Sequence, residues 1–253
     1  MIRLYRTNKP EKLIEKEIEL TNLYIQSKAD VWNQSYIKKD LLSMSKNKCC
    51  YCETKLQEES KYMTVDHFHP KCNNPNEVVE WTNLLPSCSR CNSNKGNHDT
   101  YIYPIVNPTN DNPIDYFYIS NYRFKSKKGS LDQKARLTIE VLGLNDSEKI
   151  VLPRFNVGEQ ICDKIDDLYQ KAIEYKNKGI EDIGKKNQII RGVKNVLKQG
   201  QPSSEYGGTI ATIILNNDEY KYLKIILEEL SIWDNELNKL HNEAVIIKYD
   251  IST

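Results

Sequence analysis

No apolar run in the 253-residue sequence approaches the about 20 residues that span a bilayer, and residues 1–20 lack the apolar core of a secretory signal. A membrane-spanning or exported protein is therefore not expected, and the compartment read from the sequence is the cytoplasm. Net charge is nearly absent too, since 36 Lys and Arg stand against 35 Asp and Glu. That balance excludes binding to nucleic acid through overall charge and leaves only local patches for phosphate contact. Internal repeats and low-complexity tails are also lacking. What remains is ordinary globular composition, 39% hydrophobic and 28% charged, enough chain for one large domain or two small ones.

Two stretches are locally basic. Residues 121–136 carry Arg123, Lys125, Lys127, Lys128, Lys134 and Arg136 against Asp132, and residues 185–198 carry five Lys and Arg with no acid. Each suits either phosphate contact or a solvated helix face. Pro10 opens an expected helix in which Leu13, Ile14, Ile18, Leu20, Leu23 and Tyr24 fall near a 3.6 period. A second helix is expected over Tyr36–Met44, a strand over 61–68, and a short strand or extended turn over Trp81–Pro86. Ser87 is the expected N-cap of a helix through Cys88, Cys91, Asn92 and Lys95, closed by Gly96. The Pro-, Asn- and Asp-rich 101–115 stretch reads as a loop, followed by a strand or two near Tyr116–Phe124. Helices are expected over 131–143, 159–178, 181–199 and 217–243, with Gly200–Gly208 a breaker loop and a helix restarting near Thr209. The fold class is thus α+β, mostly α, organised as a helical segment (1–45), a cysteine-bearing module (46–115) and a helical region (116–253).

Seven cysteines in such a chain suit metal ligation better than disulfides. Cys49/Cys52 and Cys88/Cys91 are two Cys-x-x-Cys knuckles separated by 35 residues. Four thiolates at that spacing close a tetrahedral site whose usual occupant is structural zinc. Cys50 is wrongly spaced for a knuckle, and Cys72 and Cys162 read as free core thiols. Between the knuckles lies Asp66-His67, with a turn at Pro70. Successive strand residues face opposite ways, so the pair can serve one site only where the strand ends. There the carboxylate could hold Mg2+ while the imidazole accepts a proton from water. His98 and His241 read as structural or surface residues.

Asp66-His67-x-x-Pro70, then Asn83-Leu84, then Cys88-x-x-Cys91-Asn92-x-x-Lys95-Gly96, resembles the HNH motif of the ββα-metal endonucleases. Asparagine stands at the third landmark where the family name has histidine, and an amide oxygen suits a hard ion. The resemblance implies that a ββα-metal finger with a structural four-cysteine zinc site is embedded in a helical protein. It implies His67 as general base, Asp66 and Asn92 as ligands of catalytic Mg2+ or Mn2+, and Asn83 as brace of the loop between the strands. Lys95 resembles the basic residue that steadies transition-state charge, and His69 has no assigned role beyond a turn or a place near the metal. Lys48-Cys49-Cys50-Tyr51-Cys52-Glu53, Asp66–Lys71, Trp81-x-Asn83-Leu84-Leu85 and Ala135–Asn145 narrow the likeness. They resemble the HNH nuclease subunit of Septu-type anti-phage defence systems, the PtuB family, across about residues 36–155. That likeness implies a DNA target from invading phage and an ABC-type ATPase partner, PtuA, with the C-terminal helices as a possible interface. Two alternatives stand beside it: a zinc-stapled DNA- or protein-binding module without catalysis, and a stand-alone restriction- or homing-type HNH enzyme.

Overall fold

A computed structural model describes residues 1–58, 62–178 and 182–251. It divides into two compact units, Met1–Phe117 with Phe124–Asn145, and Tyr118–Arg123 with Asp146 onward. Helix predominates, with small sheets.

In the first unit, α1 (Glu11–Ser27) starts at Pro10 and ends on Lys28 in the left-handed conformation. Only Leu13, Leu20 and Tyr24 of its expected apolar face are buried; Ile14, Ile18 and Leu23 are exposed. Helix α2 (Ser35–Met44) buries Ile37, Leu41 and Met44 and packs against both strands that follow. Strand β1 (Met63–His67) pairs antiparallel with β2 (Leu84–Cys88), from Met63 opposite Cys88 to His67 opposite Leu84. The expected strand began at Lys61, which lies outside the described residues. Helix α3 (Ser89–Lys95) follows without a loop. Its N-cap is Cys88, not the expected Ser87, because the Cys88 sulfur accepts from Cys91 N while Ser87 sits one residue earlier in the ladder, opposite Thr64.

The connection between β1 and β2 is held from outside by the N-terminal segment. Arg6 donates to the carbonyls of Trp81 (2.6 Å), Thr82 (2.6 Å) and Leu84 (2.7 Å), and Trp81 Nε1 donates to Thr7 O (2.9 Å). Burial lowers the Arg6 guanidinium pKa to about 10, which still leaves it charged at neutral pH. Further along, α4 (Pro113–Tyr116) interrupts the expected 101–115 loop at its end, and α5 (Asp132–Val141) matches the expected 131–143 helix closely.

From Tyr118 on, β3 (Phe117–Ser120) belongs to the second unit, where Tyr118 and Ile119 pair in parallel with β5 (Asp250–Ile251), a strand the periodicity does not announce. Asn121 and Tyr122, both at positive φ, turn the chain from β3 into β4 (Arg123–Ser126). Helix α6 (Leu152–Lys178) starts seven residues before the expected 159. A π turn over Ser147–Val151, capped by Asp146, leads into it, and Pro153 follows directly after that turn. Helix α7 (Ile183–Gln199) follows; residue 181, its expected start, lies outside the described residues. Helix α8 (Gly207–Asn216) restarts near Thr209 as expected. The single helix expected over 217–243 is two, α9 (Asp218–Glu229) and α10 (Asn235–Ile247). Ser231 adopts φ 56° between them and Asp234 caps the second by accepting from Leu237 N. Ile161, Ile165, Leu168 and Ala172, spaced four, three and four, put one stripe of α6 into the core shared with α7, α8 and α9.

Because three carbonyls converge on one half-buried guanidinium, Arg6→Ala is expected to destabilise the first unit by about 1–3 kcal/mol. Urea denaturation followed by tryptophan fluorescence checks this; an unfolding midpoint equal to wild type would contradict it.

Candidate active site

The cysteine cluster comes first because it joins the pieces. Cys49 and Cys52 sit in a tight turn in which Cys49 N donates to Thr54 O (2.9 Å) and Glu53 N to Cys49 O (3.1 Å). Glu53 takes φ 65° to close it. Cys88 ends β2, and Cys91 lies in the first turn of α3, where its amide donates to Cys88 Sγ (3.4 Å). All four Sγ atoms fall within 4.8 Å of one another, and Cys52 and Cys88 are 3.8 Å apart. A tetrahedral ion with metal–sulfur bonds of about 2.3 Å separates its sulfurs by about 3.8 Å. The donor set therefore fits a structural metal such as zinc. Cys50 takes no part: its amide donates to Pro86 O (2.9 Å), and burial pushes its thiol well up, keeping it protonated. Cys72 is exposed rather than a core thiol, because it sits in the turn after Pro70, and Cys162 is half-buried.

The staple lays α3 across β1. Asn92 Nδ2 donates to Thr64 Oγ1 (3.1 Å), and Lys95 Nζ to Asp66 Oδ1 (3.1 Å). Helix residues three apart thus meet strand residues two apart on one face. Tyr51, inside the cysteine turn, donates from its hydroxyl to Asp66 Oδ2 (2.5 Å). Burial and this bond raise the Tyr51 phenol well above its usual range, so it stays a donor.

His67 is the last residue of β1, where the alternation of faces ends. Asp66, His67 and Asn92 all line one cleft of about 370 Å³. His67 Nε2 lies 2.8 Å from Val78 O. A carbonyl can only accept, so Nε2 carries the proton and Nδ1 keeps the lone pair. Burial lowers the His67 pKa to about 4, and its ring is the neutral, proton-accepting form at neutral pH. Trp32, from the α1–α2 connection, stands edge-on to this ring at 4.9 Å.

Asn83 braces the connection through its amide. Its Oδ1 accepts from His69 N (2.7 Å), and its Nδ2 donates to His69 O (3.1 Å) and Glu77 O (3.2 Å). His69 itself does not line the cleft. Thr100 Oγ1 donates to Phe68 O (2.9 Å) and so accepts from His69 Nδ1 (2.8 Å), while Tyr101 stacks on the imidazole at 3.7 Å. Lys95 also stands apart from the cleft: its buried ammonium bonds Asp66 and His67 O (2.6 Å). His98 bonds Tyr103 O (2.7 Å), and His241 bonds the Tyr220 hydroxyl (2.7 Å) in the second unit.

Sequence reasoning missed Trp32, Lys38 and Lys71, which line the cleft, and Tyr51 and Thr100, which hold site residues. Only Tyr51, lodged within a knuckle, carried a local signal. Several members of the noted basic stretches are spent on carboxylates. Lys134 pairs with Asp111 (2.7 Å), Arg136 with Asp132 (2.9 Å), and Lys194 with Asp234 and Glu236 (2.7 Å each).

Since binding energy of a structural metal is folding energy, Cys88→Ser is expected to lose stoichiometric zinc and to lower the first unit's melting point by at least about 10 °C. Metal analysis with calorimetry checks this; a zinc-free variant that melts like wild type would contradict it.

No protein-family model matches the chain. It is 44% identical over 245 residues to the Septu protein PtuB of Bacillus thuringiensis, covering 96% of this chain and 93% of that one. The likeness runs through both units, well beyond the cysteine staple and the cleft. At that identity and coverage, the chain belongs to the Septu PtuB family.

Proposed function

We propose that this protein is a metal-dependent DNA endonuclease of the HNH type, the nuclease effector of a Septu anti-phage defence system. The observation that carries the reading is the His67 imidazole. It is neutral, is held by Val78 O as the tautomer that leaves Nδ1 basic, and shares its cleft with a carboxylate and an amide oxygen. A binding module has no need of a poised proton acceptor at that place.

The residues fit a hard ion. Asn92 Nδ2 is committed to Thr64, so Oδ1 is the amide atom left for a cation. Each Asp66 oxygen accepts one hydrogen bond and retains a second lone pair. Mg2+ or Mn2+ held there supplies positive charge against a phosphodiester under attack. In this reading His67 Nδ1 takes the proton of the attacking water. Lys95 acts by holding Asp66 and the His67 carbonyl, a positioning role in place of the transition-state contact that the motif suggested. Asn83 fixes the chain after His67, and the four-cysteine staple fixes α3 against β1. Hydrolysis in this way leaves a 5′-phosphate and a 3′-hydroxyl. We place the protein in the cytoplasm beside an ABC-type ATPase subunit, PtuA, with the helices of the second unit as the partner surface.

His67→Ala is expected to reduce Mg2+- or Mn2+-dependent plasmid nicking at least about 100-fold. Zinc content and melting temperature should stay at wild-type values. Cleavage at the wild-type rate by that variant would remove His67 from the chemistry.

A further inference from the structure

Two lysines line the cleft without any part in the reaction as proposed. Lys71, just past Pro70, places its ammonium 4.6 Å from the centroid of the Trp32 ring. The same indole stands edge-on to His67, so ammonium and imidazole both meet one indole that lines the cleft. Lys38 reaches the cleft from the first turn of α2. Among the described residues no carboxylate pairs with Lys38 or Lys71. Lys95, by contrast, is buried and bonded to Asp66. The cleft's other acid, Asp30, is exposed.

An ammonium seated on an indole keeps its full charge and loses rotamer freedom before any ligand arrives. Lysine is a compact point charge on an apolar stem, which suits non-bridging phosphate oxygens. Two such charges beside a base and two oxygen ligands match a backbone carrying phosphates on either side of the one being cleaved. Neutral solutes would gain nothing from them.

We propose that Lys71, held on the Trp32 indole, and Lys38 are backbone-phosphate contacts of this cleft, binding the phosphates that flank the scissile one. The inference rests on the DNA-cleavage reading above. Contacts of this kind set register and strength and carry no base information. They also release counterions, so each adds roughly 0.9 to the slope of log affinity against log salt.

The test uses the full-length zinc-loaded protein and a fluorescent DNA duplex, with Ca2+ in place of Mg2+. Binding is followed by anisotropy from about 50 to 300 mM KCl. Lys71→Met and Lys38→Met are each expected to lower the slope by roughly 0.9, and the double variant by roughly 1.8. Lys71→Arg should restore the slope. In Mg2+ the Met variants should raise KM more than they lower kcat. Should Lys71→Met fail to match the wild-type zinc content and melting curve, Lys71→Gln takes its place. Wild-type slopes in the Met variants, or an affinity loss equal at every salt concentration, would overturn the lysine assignment while leaving the nuclease reading intact. Wild-type protein that neither binds nor cuts duplex DNA would overturn the underlying reading instead.

Discussion

Four cysteines gathered at one point bring the pieces of the site together. A two-stranded sheet is marginal by itself in water, and β1–β2 is such a sheet. Tying the 49–52 turn to the end of β2 and the first turn of α3 makes sheet, turn and helix one body. The tie reaches further than its ligands. The turn that presents Cys49 and Cys52 also carries Tyr51, whose hydroxyl grips Asp66. The helix that presents Cys91 carries Asn92 and Lys95, which grip Thr64 and Asp66. Displacing the staple therefore displaces both sides of the cleft.

Beneath the cleft lies a buried ion pair. Asp66 and Lys95 are each only 2% exposed, and removing one partner of such a pair typically costs about 3–5 kcal/mol. The pair is tolerated because its remaining capacity is used: Tyr51 bonds the second carboxylate oxygen, and Lys95 also bonds the His67 carbonyl. A carboxylate fixed from two sides cannot swing away from the cleft it lines. His67 is fixed just as firmly, by Val78 O on one edge and by Trp32 against its ring. Preorganisation of this kind is what the proposed hydrolysis of a stable diester would require of its surroundings.

Much of this was legible in the sequence where chemistry and spacing are local. The knuckles, the Asp-His pair at a strand end and Asn92 one residue past Cys91 all lie within short windows, and the structure gathers them into one unit. The N-cap was misplaced by one residue because a thiolate is not among the usual capping groups, yet Cys88 Sγ accepts from Cys91 N as a hydroxyl would. The break between α9 and α10 was hidden because Ser231 takes the left-handed conformation with no glycine or proline to signal it. Trp32, Lys38, Lys71 and Arg6 were illegible for another reason. Arg6, Trp32 and Lys71 meet partners far along the chain, Lys38 reaches the cleft from a helix, and no pattern of period two or 3.6 encodes where such side chains will land. The same holds for Lys95, since only the fold shows its ammonium turned inward to Asp66.

A crystal of the zinc-loaded protein soaked in Mn2+, with anomalous data at both metal edges, bears most directly on this division of labour between scaffold and chemistry. Zinc among Cys49, Cys52, Cys88 and Cys91, with manganese bound by Asp66 and by Asn92 Oδ1 in the His67 cleft, is the expected result. Zinc bound by His67, or a cleft that takes up no manganese at saturating concentration, would contradict it.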